Sequence, residues 1–237
     1  MLMKNIKWVF INISRWLFIL CIPTVLLTTS ICIAVNSQWL YEYGFDKYDV
    51  AKTTNLADIE LGKAARGLIN YFNSNEDIID IIVFKDNQPF TLFNQKEVAH
   101  LKDVKGLIWV DYWVLVGTST FALVYIVVVL YLRLDEYRRQ LASALIKGSG
   151  LTVIFMLLLG LVVLLDFDSF FLQFHLISFT NELWQLDPTK DYLIMLFPQG
   201  FWYDATLFCA LLTVGLAFLI TGLVIVYLFF EKRREIF

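Results

Sequence analysis

The chain has 237 residues, of which 59% are hydrophobic, 16% aromatic and 17% charged. An average soluble domain is roughly 45–50% apolar and about 25% charged, so this composition is typical of a protein in contact with lipid. The net charge of −3 excludes a generally basic nucleic-acid-binding protein, and no nucleic-acid partner is expected. The three cysteines lie inside long apolar runs, where they predict neither a disulfide framework nor structural zinc.

Four apolar stretches are long enough to cross a bilayer, which takes about 20 mostly apolar residues. They are residues 16–35, 112–132, 145–165 and 205–230, and the third reaches this length only if Lys147 snorkels to the surface. The first stretch follows basic residues, as in a signal peptide. It is too long for one and lacks a clear cleavage site, so an uncleaved anchor is expected.

Basic residues precede the first span, flank the link between the second and third spans, and follow the fourth. The positive-inside rule therefore predicts that this side, with both termini, is cytoplasmic. The residues concerned are Lys4, Lys7, Arg15, Arg133, Arg138, Arg139, Lys147, Lys232, Arg233 and Arg234. The predicted order is a tail and first span (1–35), an extracytoplasmic cap (36–111), the second span (112–132), a cytoplasmic loop (133–144), the third span (145–165), an outer aromatic loop (166–204), and the fourth span with a cytoplasmic tail (205–237).

The predicted cap, residues 36–111, is long enough to fold. Asn55 and Asp58 can start a helix, because Asn and Asp are common at helix N-termini. Residues 80–84 and 90–93 predict the two strands of a hairpin. The apolar face of the predicted helix is formed by Leu61, Ala65, Leu68 and Phe72.

A second helix is predicted to leave the cap and lead toward the second span. Asn94 and Glu97 have the spacing of a capping box, with Asn in the place of Ser or Thr. The helix they open carries Glu97, His100 and Asp103 at steps of three residues, which project from adjacent parts of one face. His100 is therefore expected near the outer membrane surface.

The outer aromatic loop contains a short apolar segment, residues 167–179, with five phenylalanines and His175. Thirteen residues are too few to span a bilayer, so the segment predicts a re-entrant or interfacial element. We therefore predict a mainly α membrane protein. It has four transmembrane helices, a small α+β extracytoplasmic cap and a re-entrant or interfacial aromatic segment.

Familiar catalytic motifs are missing from the sequence. It has no GxSxG, HExxH, GxxxxGK[ST] or helix-opening GxGxxG, which removes the usual support for a serine hydrolase, a zincin or a nucleotide-dependent enzyme. What remains is the two histidines, His100 and His175, each near carboxylates. Either one alone could be a solvated or interfacial ring. The HxxD spacing is weak for a metal site, and no metal is predicted. Together the two histidines favour acid–base chemistry.

Two segments resemble a known family. Residues 97–105, EVAHLKDVK, resemble its E-x-x-H-x-x-D-V segment, and residues 174–198, FHLISFTNELWQLDPTKDYLIMLFP, resemble its long second motif. The family is the lipoprotein intramolecular transacylase (Lit) family of four-span bacterial membrane proteins. Residues 41–45, YEYGF, also fit, and the similarity covers nearly the whole chain.

The resemblance implies an acyltransferase of the bacterial cell membrane with its active site at the outer face. Its partners would be diacylglyceryl-modified bacterial lipoproteins, as the substrates, and membrane lipid. The sn-2 acyl chain would move to the α-amine of the N-terminal cysteine and leave a lyso-form lipoprotein. In the family, activity is tied to two histidines that match His100 and His175 here. No ATP, acyl-CoA, metal ion or other cofactor is expected, because transfer from an ester to an amide is downhill.

The roles within the site stay open at this point. One histidine would act as base and the other as acid, or an acyl-histidine would form. Glu97 orients His100 or only closes the capping box. The other supporting candidates are Asp103 as the orienter of His100, Asn181, Trp184 and Lys105 as oxyanion stabilisers, and Asp191 as the orienter of His175 or the cap of the turn after Pro188. The alternative function is a non-enzymatic membrane sensor or complex subunit with an outer cap.

Overall fold

The structure is a computed structural model that describes residues 2–131 and 135–234. The predicted boundaries at residues 1, 132, 133 and 237, and the cation Arg133, lie outside the described residues. Within the described ranges the chain forms nine helices and two strands. These are α1 (Leu2–Asn36), α2 (Gln38–Lys47), α3 (Val50–Thr54), α4 (Asp58–Phe72), β1 (Ile82–Lys85), β2 (Gln88–Thr91), α5 (Gln95–Tyr131), α6 (Asp135–Leu165), α7 (Phe167–Ser178), α8 (Tyr192–Leu196) and α9 (Gln199–Arg234).

Four helices are long and apolar enough to cross a membrane: Ile11–Asn36, Gln95–Tyr131, Arg138–Leu165 and Gln199–Lys232. The predicted number of spans is confirmed, and the chain is a multi-pass membrane protein. The helices extend beyond the apolar stretches, because hydropathy alone does not report the polar first turns of a helix. Residues 133–144, which the sequence assigned to a loop, are helical from Asp135 onward.

The chain divides into two compact units. Unit 1 comprises Met1–Ile31, Tyr112–Leu161 and Cys209–Phe237. Its buried core is apolar, and the buried hydroxyls of Thr213 and Ser30 form a hydrogen bond of 2.9 Å. Gly148 allows close packing there, because a Cβ atom at this position would lie 2.7 Å from the side chain of Ile22. The core residues are Phe18, Ile19, Ile22, Leu26, Ala122, Val129, Leu141, Ala144 and Ala217.

Unit 2 comprises Cys32–Asp111 and Val162–Phe208, and it holds both histidines. Helix α4 begins at Asp58, and the face predicted from the sequence is buried as expected. The short helices α2, α3 and α8 had no clear sequence signal. They are held by side chains that only the tertiary structure brings together, such as Tyr41 of α2, whose ring packs edge-on against Phe197 at 5.6 Å.

The hairpin differs from its prediction by about two residues. The strands pair antiparallel from Ile82 opposite Thr91 to Lys85 opposite Gln88. Asp86 and Asn87 form the two-residue turn and have φ values of 50° and 59°. A tight hairpin turn with positive φ at both central residues favours Asn and Asp, so this pair fixes the register.

Helix α7 is the short aromatic segment that the sequence predicted. Asp166 caps it by accepting a hydrogen bond of 3.0 Å from the backbone N–H of Ser169. At 12 residues it extends about 18 Å, well short of the roughly 30 Å of a hydrocarbon core. His175 is buried, whereas Leu176 and Ile177 are exposed. An exposed apolar face on so short a helix is typical of an element at a membrane interface.

Candidate active site

The two histidines of the chain meet in unit 2. His100 lies on α5 and His175 on α7, and their ring centroids are 6.4 Å apart with 30° between the planes. Both are buried, with 6% and 8% of their surface exposed. Two imidazoles at this separation allow one bound group to contact both rings, which suits paired proton transfer.

A hydrogen bond selects one tautomer of His175. Its Nδ1 lies 2.8 Å from the backbone carbonyl oxygen of Phe171. Because a carbonyl only accepts, Nδ1 carries the proton and the neutral ring keeps its lone pair on Nε2. Burial lowers the pKa of His175, and the bond to Phe171 opposes this only in part. His175 is therefore an uncharged base at neutral pH.

His100 has a buried nitrogen without a partner. No described residue hydrogen-bonds its Nδ1 atom. An unpaired buried polar atom costs about 1–3 kcal/mol, so such an atom in a native protein calls for an explanation, of which a bound group is one. Phe179 fixes the ring from one side through an edge-on contact with a centroid distance of 5.1 Å.

Aromatic side chains line the histidine pair. Phe171 lies against His175 at a centroid distance of 4.4 Å, and Trp184 lies at 5.0 Å. Phe179 contacts both histidines, since it is also 5.7 Å from His175. These rings limit rotation of the imidazoles and keep the local dielectric low, which strengthens electrostatic interactions at the site.

Glu97 and Asp191 hold the backbone around the site. Glu97 Oε2 accepts from the N–H of Asn94 at 2.8 Å, and Asn94 Oδ1 accepts from the N–H of Glu97 at 3.1 Å, which confirms the capping box. Glu97 Oε1 also accepts from the N–H of Leu193 at 2.6 Å. Asp191 accepts from Asn94 Nδ2 at 2.8 Å and from the N–H of Asp187 at 2.7 Å. Neither carboxylate shares a hydrogen bond with a histidine in the described part of the chain.

The other predicted residues occupy different positions around the pair. Asn181 donates to Asp103 Oδ2 at 2.8 Å and so joins the outer loop to α5. Lys105 donates to Glu76 O at 2.6 Å, and its ammonium lies 4.1 Å from the ring centroid of Tyr71. Of the three oxyanion candidates, Trp184 is the one whose ring contacts a histidine, whereas the amide of Asn181 and the ammonium of Lys105 have partners elsewhere.

Two contacts of the site could not be predicted from the sequence. Asn94 was predicted to cap a helix, but its hydrogen bond to Asp191 leaves no pattern in the sequence because 97 residues separate the two. Phe179 was one of several phenylalanines, and nothing in the sequence distinguished the one that contacts both histidines. Among the side chains that the structure describes, no three of His, Cys, Asp or Glu lie close enough together to hold a metal ion.

A match to a family model identifies the protein family of this chain. The family model described as "Lipoprotein intramolecular transacylase Lit" matches residues 16–202. The chain belongs to the Lit family. Members of this family are acyltransferases, so the non-enzymatic sensor considered from the sequence is not supported.

Solved structures share the same fold. The membrane-integral lipoprotein intramolecular transacylase Lit from Bacillus cereus has a TM-score of 0.79 and 21% identity, over 95% of this chain and 98% of that chain. Structures of the same protein with a histidine replaced by arginine or by alanine give TM-scores of 0.78 and 0.77, also at 21% identity. They cover 99% and 98% of this chain, and 100% and 99% of theirs.

A curated relative from Aquifex aeolicus (strain VF5), described as an uncharacterized protein, is 28% identical over 133 residues. The match covers 55% of this chain and 56% of that relative. The chain therefore spans a little over half the length of this curated relative. It adds a distant sequence neighbour and no information on activity.

Proposed function

We propose that this member of the Lit family moves the sn-2 acyl chain of a diacylglyceryl-modified lipoprotein to the α-amine of its N-terminal cysteine. His100 and His175 act as the acid–base pair, and the product is a lyso-form lipoprotein. Family membership supports the reaction class. The observation that carries the catalytic assignment is the close approach of the two buried imidazoles, 6.4 Å between centroids.

The reaction needs two proton transfers. The neutral α-amine attacks the carbonyl carbon of the sn-2 ester, a C–N bond forms, and a base removes the proton from the nitrogen. The tetrahedral oxyanion then collapses, the bond between the acyl carbon and the glycerol oxygen breaks, and an acid protonates the departing oxygen. The products are an amide and a free sn-2 hydroxyl, so no ATP, acyl-CoA or metal ion takes part.

His175 suits the role of base. Its Nδ1 proton is held by the Phe171 carbonyl, which leaves Nε2 free to accept a proton. Burial favours the neutral ring and lowers its pKa. His100, whose Nδ1 has no partner among the described residues, then relays the proton taken up by His175 to the leaving oxygen, so that both rings end in the neutral state.

Orientation of the substrate supplies much of the rate enhancement in this proposal. Amine and ester belong to one molecule, and attack closes a ring of roughly eight atoms, which is favourable once the head group is folded. Trp184, whose ring contacts His175, is the first candidate to stabilise the oxyanion. Glu97 and Asp191 act as positioning residues through their backbone contacts, and Asn181 and Asp103 through the hydrogen bond between their side chains.

The same proposal includes the topology. Both termini are cytoplasmic, residues 36–111 form the extracytoplasmic cap, and the site faces the outer side of the bacterial cell membrane. The distribution of basic residues supports this orientation. The exposed apolar residues Leu176 and Ile177 of α7 support contact of this segment with membrane lipid, where the acyl chains of the substrate would lie.

Mass spectrometry of lipoprotein N-termini tests the proposal. The chain is expressed in cells that lack other N-acylating enzymes, and the lyso-form is expected. His100→Gln and His175→Gln should each lower the rate by roughly 10²–10⁴, the usual contribution of a general acid or base. Gln173→Ala, at an exposed position on α7, is the control that should keep activity. If the amine stays free with the wild-type chain, the reaction is wrong. If both histidine variants still form the lyso-form, the catalytic assignment is wrong.

A further inference from the structure

Acyl transfer to the amine has a competing reaction, because water can attack the same ester. A neutral imidazole accepts a proton from attacking water as it does from an attacking amine. The products are then a free carboxylic acid and the sn-2 hydroxyl, and the lipoprotein loses the acyl chain. A transacylase therefore has to keep water away from the ester and from the base.

The histidine pair itself offers hydrogen bonds to water. No described residue bonds to Nδ1 of His100, and His175 presents the lone pair of Nε2 because the Phe171 carbonyl holds the proton on Nδ1. A water molecule that reached the pair would satisfy these atoms, as buried waters commonly do. Exclusion of water therefore depends on the side chains that pack around the two rings.

Phe179 is a buried ring that contacts both histidines. Its centroid lies 5.1 Å from that of His100 and 5.7 Å from that of His175. Since the two histidines are 6.4 Å apart, the three centroids form a nearly equal-sided triangle. Phe179 is 9% exposed, whereas Phe174, whose ring also packs against His175, is 47% exposed. Phe179 therefore closes one side of both imidazoles to water.

The end of α7 places this ring beside the pair. Phe179 is the first residue after the helix, and its backbone is extended, with φ −125° and ψ 135°. Its N–H still donates to the carbonyl oxygen of His175 at 2.9 Å. Two residues further on, Asn181 donates to Asp103 of α5 at 2.8 Å, and Asp103 follows His100 by about one turn. The chain thus passes from α7 to α5 next to the histidines, with Phe179 at that point.

We propose that Phe179 determines the reaction specificity of this site by keeping water from the histidine pair, so that the acyl chain is transferred and not hydrolysed. The proposal rests on the transacylase function proposed above. In the reaction that Phe179 prevents, the oxygen of water forms a bond to the acyl carbon, and the bond from that carbon to the glycerol oxygen breaks. The proton of water passes through the histidines to the departing oxygen.

Product analysis in water labelled with heavy oxygen tests the proposal. The purified full-length protein is incubated with a diacylglyceryl lipopeptide, and mass spectrometry measures the N-acylated product and the free carboxylic acid. Acid that the protein forms by hydrolysis carries one labelled oxygen, whereas contaminating acid carries none.

The variants separate the position of the ring from its size. Phe179→Ala removes the ring, and Phe179→Leu keeps much of its apolar volume. The matched control is Phe170→Ala on the same helix, because Phe170 packs against Phe167 at 6.0 Å and makes no ring contact with a histidine among the described residues. Phe179→Val is a smaller truncation and gives the same comparison if Phe179→Ala does not fold.

The wild type, Phe179→Leu and Phe170→Ala should form the amide with little acid. Phe179→Ala should raise the ratio of labelled acid to amide at least tenfold, roughly the equivalent of 1.4 kcal/mol of lost discrimination against water. A lower rate with an unchanged ratio would mean that the ring is merely structural, and it would overturn this proposal alone. If the wild type forms no amide, the transacylase function itself is wrong.

Discussion

The carboxylate of Glu97 accepts a hydrogen bond of 2.6 Å from the backbone N–H of Leu193, a residue 96 positions further along the chain. The same carboxylate closes the capping box with Asn94. One buried side chain therefore fixes both the first turn of α5, which leads directly to His100, and the start of α8. Because only 1% of Glu97 is exposed, water cannot replace these bonds without a structural change.

Removal of this carboxylate should destabilise the protein. Glu97→Ala leaves the N–H groups of Asn94 and Leu193 without acceptors, and two unpaired buried groups of this kind cost about 2–6 kcal/mol together. Thermal unfolding in detergent should show a clearly lower midpoint. Glu42→Ala, which removes an exposed carboxylate on α2, is the control and should change the midpoint little. Equal midpoints for Glu97→Ala and the wild type would contradict the role assigned to Glu97.

The sequence predicted correctly those elements that are specified by residues close together in the chain. The four spans, the apolar face of α4 and the capping box of Asn94 and Glu97 all depend on residues within a few turns of each other. The predicted strands of the hairpin differ from the observed ones by about two residues, because the apolar residues that indicate a strand do not define its ends. The turn is set by the backbone preference of Asp86 and Asn87.

The site could be predicted only at the level of residue types. The sequence pointed to His100 and His175, but their distance depends on how α5 and α7 pack. Glu97 had two interpretations, and its hydrogen bonds with Asn94 decide for the capping box. Its further bond to Leu193 is one that no local pattern contains. The same holds for Asn181 and Asp103, whose contact joins positions 78 residues apart.

Exchange of Asn181 and Asp103 tests that contact. Asn181→Asp alone places two carboxylates against each other and should lower both the unfolding midpoint and the transacylation rate, since the loop that carries Trp184 is tied to α5 here. The double variant Asn181→Asp/Asp103→Asn restores one amide and one carboxylate. It should recover most of the loss, an exposed hydrogen bond being worth about 0.5–1.5 kcal/mol. The single variant Asp103→Asn completes the comparison. If the double variant lowers the unfolding midpoint and the rate by as much as Asn181→Asp and Asp103→Asn do in total, the two side chains do not interact.

Replacement by alanine should change stability in opposite directions at two glycines. A Cβ atom at Gly44 would overlap the ring of Phe201, so Gly44→Ala should lower the free energy of unfolding by about 1–3 kcal/mol. At Gly62, inside α4, a Cβ atom would meet only the end of Arg66 at 3.7 Å. Gly62→Ala should therefore raise stability by about 0.5–1 kcal/mol, through helix propensity alone. Unfolding midpoints that move in the same direction for both variants would contradict this packing.

The pKa of His175 should show that its ring is buried. The free-state pKa of histidine is about 6.5, and burial lowers the pKa of His175 in the folded protein. Between the two values the folded protein binds fewer protons than the unfolded chain. The stability contribution of the neutral ring is therefore complete above pH 6.5 and is lost as the pH falls through the lowered pKa.

Nitrogen NMR of histidine-labelled protein measures this directly, because the chain has two histidines and His100→Gln leaves the signal of His175 alone. The midpoint should lie below 6.5, and the neutral ring should show the shifts of the tautomer with its proton on Nδ1, as the bond to Phe171 requires. A midpoint above 6.5, or a neutral ring protonated on Nε2, would mean that His175 does not present a free Nε2 and cannot be the base in the arrangement proposed above.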